Sequence, residues 1–176
     1  MGQKTEENLS TREVREKVVK TALDLAAETG WDSVTLYDIA DKSNISIAKL
    51  FDLFDDRHDI LAAFGKYVDH RVMHAVTSPG SDLSTRDRVF DLIMERLDVL
   101  NEHRDGVMSI LRSFSSDPKE VLMTMPHLGR SMSWILEASG EPTRGISGCV
   151  KVVALTAVYL KTIRVWMKDD TVDMAK

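Results

Sequence analysis

Two histidines stand four positions apart, at His70 and His74, and their spacing is the one most suggestive of metal chemistry in this 176-residue chain. On an α-helix such a pair shares one face, and imidazole nitrogens are common zinc ligands. No carboxylate or cysteine elsewhere has a spacing that would complete a site. We therefore expect the two histidines to be ordinary surface residues, and we expect neither a metal nor a cofactor.

Motifs of catalysis are not found in the sequence. It has no phosphate-binding glycine loop, dinucleotide fingerprint or zinc motif, and GRSMS at 129–133 lacks the spacing of a nucleophile elbow. The sequence therefore predicts a protein that is not an enzyme.

The composition predicts a soluble protein of the cytoplasm. Its net charge is −5, which argues against a chain coated with positive charge for nucleic acid. The single cysteine, Cys149, cannot form a disulfide within the chain, as is typical of a reducing compartment. Residues 1–9 are polar and predict a disordered tail rather than a signal peptide. The most apolar stretch, 149–166, contains two lysines and an arginine, which indicates an amphipathic buried helix and not a membrane span.

Helix signals dominate the N-terminal part of the chain. Ser10 and Glu13 form a capping box, and the apolar residues behind them recur at steps of three and four until Gly30, which predicts a helix over about 11–29. Thr35 and Asp38 form a second capping box, which opens a short helix.

A tight turn and a third helix follow. Asn44 tolerates the left-handed conformation, and Ser46 is placed to cap a helix over roughly 47–53. Two short helices joined by a tight turn are the elements of a helix-turn-helix. Asp56 caps a long fourth helix, which we expect to join this head to the remainder of the chain.

The remainder of the chain also has the signals of helices. One helix is capped by Ser84, and a second continues from it after a kink near Gly106. A short helix begins at Asp117 and is expected to end at Pro126, because proline cannot continue the hydrogen-bond ladder. The last long helix is predicted over 146–168.

These signals together predict an all-α fold. A three-helix head with a helix-turn-helix occupies residues 10–56, and a helical body occupies 57–176.

One stretch of this head and the start of the fourth helix resembles the N-terminal region of the TetR family of bacterial transcription regulators. It reads ALDLAAETGWDSVTLYDIADKSNISIAKLFDLFDDRHDILAAF. The shared features are Gly30 followed by an aromatic residue, the Thr35 cap, DIA at 38–40, Ile45, Ser46, the Leu50 and Phe51 pair, Phe54, and a basic residue, Arg57, at the start of the fourth helix. The resemblance implies a homodimer that places the third helix of each copy in successive major grooves of a palindromic operator in double-stranded DNA.

The resemblance also implies a set of DNA-binding residues. Carried over position by position, the set is Thr35, Ser46, Ile47, Lys49, Phe51 and Arg57. Thr35, Ser46 and Arg57 would bind phosphates, and Lys49 would face the groove. Phe51 and Phe54 are also candidates for filling the core of the small head, and we favour the core for both.

The implied DNA-binding region is acidic. Between Ser33 and Leu61, six aspartates against two lysines and one arginine leave a net charge of −3. Few cations remain for counterion release, which contributes much of the affinity of such interfaces. A second resemblance offers an alternative: the head together with AVYLKTIRVWMKDDTVDMAK is similar to the coenzyme-Q accessory lipid-binding proteins. That resemblance implies an isoprenoid or quinone ligand and a vestigial helix-turn-helix.

Methionines and aromatic residues of the body could line a pocket for a small hydrophobic effector. The candidates are Met94, Leu97, Met108, Leu111, Trp134 and Tyr159, with a plain core or a dimer seam as the alternative for each. The seam is expected within 127–139 and 146–168. Our first hypothesis is a dimeric regulator that releases its operator when the effector binds, and the second is the lipid-binding accessory protein.

Overall fold

The structure is a computed structural model that describes residues 10–75, 83–115 and 118–169, and these ranges contain helices and no strand. The helices are α1 Thr11–Thr29, α2 Leu36–Ser43, α3 Ile47–Phe51, α4 Arg57–Ala75, α5 Thr85–Asn101, α6 Arg104–Ser113, α7 Pro118–Ala138 and α8 Gly145–Trp166, and a 3-10 turn, Trp31–Ser33, joins α1 to α2. The all-α prediction is confirmed. The tail at 1–9 and the predicted cap at Asp117 lie outside the described residues.

Helix α1 is the centre of the N-terminal part. Its capping box is formed as predicted, with the Ser10 side chain accepting from the Glu13 amide and Glu13 accepting from the Ser10 amide. One face of α1 is buried against α2, α4 and α6. The break between α5 and α6 lies at residues 102–103, close to Gly106, near which a kink or turn was predicted; Gly106 itself lies inside α6. The reason is that Gly106 lets α6 approach the backbone of α1 closely.

A buried ion pair lies where α4, α5, α7 and α8 meet. The Arg96 guanidinium, on α5, donates to Asp69 of α4 and, at 3.1 Å, to the Tyr159 hydroxyl of α8. The Ser131 hydroxyl of α7 donates to the other Asp69 oxygen at 2.7 Å. Arg96 is 5% exposed, so this charge is held inside the protein by these partners.

Helix α7 contradicts the prediction that Pro126 ends a helix. It runs without a break from Pro118 to Ala138, with Pro126 inside it. Proline frees the carbonyl four residues earlier, which belongs to Leu122. Leu122 and Pro126 are both exposed, so solvent can hydrogen-bond to that carbonyl and the helix continues.

Helix α8 was predicted to be buried, and in the single chain this is wrong. It is the one helix of the described ranges that is long and apolar enough to cross a membrane by length and composition, yet only 17% of its most apolar window is buried. Ile146, Val150 and Val153 are 87%, 62% and 68% exposed. Cys149, which we expected to pack, is exposed as well. A sequence pattern shows that a helix is apolar, but it does not show which surface covers it.

Candidate nucleic-acid interface

The two helices of the helix-turn-helix begin at the caps that the sequence predicts. The Thr35 hydroxyl accepts from the Asp38 amide, and the Asp38 carboxylate accepts from the Thr35 amide at 3.0 Å. Asn44 ends α2 in the left-handed conformation with φ of 53°. The Ser46 hydroxyl then accepts from the Lys49 amide at 3.3 Å and starts α3. These local hydrogen bonds fix α3 one short turn after α2.

Helix α3 has one exposed side, and part of the predicted DNA-binding set lies on it. Leu50 is buried at 0% exposure, whereas Ser46 and Lys49 are exposed and Ile47 is half-buried. Phe54 is buried, as predicted, but Phe51 is 48% exposed, so the prediction that Phe51 fills the core is wrong. The physical reason is that α3 is short and only its Leu50 side faces the head.

The hydroxyls of Thr35 and Ser46 differ in their freedom to bind a phosphate. The Thr35 hydroxyl donates to the Asp38 carboxylate at 2.5 Å, so its proton is already engaged. Within the described residues, the Ser46 hydroxyl accepts one hydrogen bond and has no recorded acceptor for its proton. Ser46 is therefore the better placed of the two to donate to a phosphate oxygen.

Arg57 lies in a different environment from the one that the resemblance implies. Its Nη1 atom donates to the carbonyl oxygens of Trp31 at 2.8 Å and Val34 at 3.2 Å. Its Nη2 atom lies 3.7 Å from a carboxylate oxygen of Glu120, and its guanidinium lies over the Trp31 ring. These partners occupy the guanidinium, so a phosphate contact by Arg57 stays a prediction that the arrangement does not favour.

The N-terminus of α4 is occupied by a carboxylate of the chain itself. Asp56 accepts from the amides of His58 at 2.7 Å and Asp59 at 3.0 Å. Burial is the largest single effect and raises the pKa of Asp56, but the two amides and the His58 side chain together outweigh it, so the pKa of this carboxyl lies below its usual value. A phosphate approaching these amides would meet a negative charge in their place.

Few cations of the helix-turn-helix remain free. Lys42 is paired with Glu28 at 2.5 Å, and Arg57 has the partners described above. Among the described residues from 33 to 61, this leaves Lys49 as the cation without a recorded ion pair. The acidic character that the sequence predicted for this face is thus accentuated by the structure.

Tyr37 is an exposed residue of the helix-turn-helix that sequence reasoning missed. It lies on α2, two residues after the Thr35 cap, and is 69% exposed. Its position could have been found from the pattern, because Ile39, Ala40 and Ser43 form the buried face of α2 and leave Tyr37 on the opposite side.

Five of the six predicted effector residues belong to one apolar core in the structure, and Trp134 does not. Leu97 and Tyr159 are buried in the core, and Met94, Met108 and Leu111 are half-buried against it. Trp134 is 53% exposed on α7 and does not belong with the others.

Two clefts with volumes of about 340 and 740 Å³ lie elsewhere, along α1 and α4. Neither includes any predicted effector residue. Tyr67 and Glu16 line both of them.

His70 and His74 are adjacent, as their spacing predicts. Their Nε2 atoms are 3.1 Å apart, and an Arg12 nitrogen lies 3.4 Å from Nδ1 of His70. An arginine can only donate, so Nδ1 accepts and the ring proton of neutral His70 is on Nε2, where it can be donated to His74. No cluster of three or more metal-ligating side chains occurs in the part of the chain that the structure describes.

Comparisons with known proteins agree with this arrangement. A family model described as bacterial regulatory proteins, tetR family, matches residues 18–64. No curated protein matches the chain.

The fold is similar to that of solved regulators. A TetR transcriptional regulator from Nitrosomonas europaea is 28% identical, with 92% of this chain and 90% of that one covered and a TM-score of 0.75. A TetR regulator from Rhodococcus sp. RHA1 is 16% identical over 93% and 89% of the two chains, with a TM-score of 0.67. A tetR-family regulator from Streptomyces coelicolor is 16% identical over 95% and 76%, with a TM-score of 0.60.

The two less similar regulators show the fold alone, and nothing in these comparisons supports the lipid-binding alternative. The helix-turn-helix geometry, the matching family model and the fold of the Nitrosomonas europaea regulator agree with one another. Residues 18–64 therefore belong to the tetR family of bacterial regulatory proteins, and the chain as a whole has the fold of a TetR transcriptional regulator.

Proposed function

We propose that this regulator binds operator DNA as a homodimer through α3 of each copy. The observation that carries the proposal is the exposed side of α3, where Ser46, Lys49 and Phe51 are presented by a correctly capped helix-turn-helix. In such motifs the second helix lies in the major groove, and its N-terminal residues contact the bases.

Each exposed residue has a role that its chemistry allows. Lys49 supplies the positive charge, to a phosphate or to the acceptor atoms of a guanine. The Ser46 hydroxyl and the phenol of Tyr37 donate to phosphate oxygens, and Phe51 makes apolar contact with a thymine methyl group. Because so few cations take part, the interface depends on hydrogen bonds and apolar contacts more than on bulk charge.

The exposed apolar surface of α7 and α8 supports the homodimer. Besides the three α8 residues above, Val158 is 60% exposed, and Trp134 on α7 is 53% exposed. An apolar surface that runs along two long helices is unfavourable in water, and a second copy of the same helices covers it by two-fold symmetry. The proposed seam uses the two segments expected from the sequence, and in it Trp134 would contact the second copy and not an effector.

A small hydrophobic effector would bind in the body, among Met94, Leu97, Met108, Leu111 and Tyr159. The half-buried methionines among them are flexible enough to make room for such a molecule. An effector that favours a spacing of the two heads that does not fit the operator would shift the population toward that spacing. The affinity for the operator would then fall.

Selection of duplex DNA from a random library, followed by fluorescence anisotropy at several salt concentrations, tests the proposal. We expect a palindromic sequence to be enriched and to bind as one dimer per site. A purified dimer that enriches no sequence, and that binds no duplex even at low salt, would contradict it.

A further inference from the structure

Arg57 holds the segment that joins α1 to α2. Its guanidinium donates to the carbonyl oxygens of Trp31, Val34 and, at 3.4 Å, Asp32. This segment immediately precedes Thr35, the cap of α2. A side chain at the first position of α4 therefore fixes the place where the helix-turn-helix begins.

The other partner of Arg57 is a buried carboxylate on α7. Glu120 is 3% exposed, and one of its oxygens lies 3.7 Å from Arg57 Nη2 and 3.9 Å from His58 Nε2. The second oxygen accepts from the Ser113 hydroxyl at 3.3 Å. A buried carboxylate needs a positive partner, because desolvation of an unpaired charge is costly. Arg57 supplies that charge.

A second contact ties the same two helices further along. Asp69 of α4 accepts from Ser131 of α7, as described above. The two ties are 12 residues apart on α4 (57 to 69) and 11 apart on α7 (120 to 131). At 1.5 Å per residue the separations match to within about 2 Å, so α4 and α7 run side by side in the same direction. A displacement of α7 therefore carries α4 with it.

We infer that Arg57 and Glu120 form a latch, a contact by which α7 sets the orientation of the helix-turn-helix. Arg57 is then a positioning residue that acts through the Trp31–Val34 segment, and it is not a phosphate ligand. Since α7 also carries Trp134 of the proposed seam, the latch connects the dimer interface to the DNA-binding helices. Its effect on DNA binding rests on the proposed function, but the latch itself does not.

Hydrogen exchange of the free protein tests the latch without DNA. Glu120→Gln keeps the shape of the side chain and removes its charge, and Arg57→Gln removes the charge of the other partner together with its guanidinium. In each variant we expect the backbone amides of residues 36–51 to exchange about tenfold faster. The double variant should exchange little faster than either single variant, because both changes break the same contact. Asp98→Asn, an exposed carboxylate on α5, is the matched control and leaves this exchange unchanged.

DNA binding by the same variants separates the latch from a phosphate contact. The latch predicts that Glu120→Gln and Arg57→Gln lower the affinity by the same factor and leave its salt dependence unaltered. Arg57→Lys, which keeps the charge but cannot bridge several carbonyls, behaves like Arg57→Gln. The inference is overturned if Glu120→Gln leaves the exchange unchanged, or if Arg57→Gln alone reduces the salt slope by about 0.9 per head.

Discussion

Gly106 lies directly against the backbone of Leu23, where α6 crosses α1. A Cβ atom at Gly106 would be 2.4 Å from the carbonyl oxygen of Leu23, closer than any real contact. Backbone on both sides leaves no flexible side chain that could move away. The packing of α6 on α1 therefore requires a residue without a side chain at this position.

Gly106→Ala is expected to lower the free energy of unfolding by about 2 kcal/mol or more, because the two helices must separate to accept the methyl group. Gly129→Ala on α7 is the control, since a Cβ there meets nothing within 4 Å. That control is expected to gain about 0.5–1 kcal/mol from helix propensity. Urea unfolding of both variants gives the values, and equal stabilities would show that α6 does not approach α1 in this way.

Asp56→Asn is expected to strengthen DNA binding about fivefold per head, because it removes a carboxylate from the N-terminus of α4 that repels phosphate by about 1 kcal/mol. Asparagine caps a helix about as well as aspartate, so the fold is retained. Anisotropy titrations compare it with Asp98→Asn, a remote control. Unchanged affinity would mean that the N-terminus of α4 does not face the DNA.

Val153→Asp is expected to convert the dimer to monomers, since a charge would be placed in the centre of the proposed α7 and α8 seam. Phe90→Asp puts the same charge on α5, at a residue that is 62% exposed compared with 68% for Val153. Native mass spectrometry distinguishes the two. A dimer that survives Val153→Asp, or is lost with Phe90→Asp, places the seam elsewhere.

The stability of the protein is expected to fall as the pH decreases below about 6.5. Desolvation beside α1, the Arg12 guanidinium and His74 lower the pKa of His70 from 6.5, and the smaller effect of Glu16 raises it. Folded His70 therefore binds fewer protons than unfolded His70, and its contribution is present above its ordinary pKa and declines as the pH falls. Melting temperatures at about pH 7.5 and 5.5 should differ less in His70→Gln than in the unaltered protein. Identical differences would exclude this role.

The parts of the fold that sequence reasoning predicted are those fixed by neighbours in the chain. The caps at Ser10, Thr35 and Ser46 are hydrogen bonds across three residues, so their side chains and spacing are enough to place α1 to α3. Pro126 was misjudged because the outcome depends on exposure, which the sequence does not show.

The candidate site was predicted less completely, for a related reason. The partners of Arg57 lie between 23 and 63 residues away along the chain. The local sequence pattern around Arg57 therefore could not show them. The exposure of α8 was missed because an apolar pattern does not show which surface covers a helix; in the proposed dimer, that surface belongs to the second copy.

The salt dependence of DNA binding by Lys49→Ala tests the central claim, that α3 contacts the operator. Loss of one phosphate contact in each head should reduce the slope of log affinity against log salt by about 0.9 per head, and by about 1.8 for a dimer. Lys66→Ala, which removes an exposed lysine from the middle of α4, should leave the slope unchanged. A Lys49→Ala variant that retains the affinity and the slope of the unaltered protein would contradict the account.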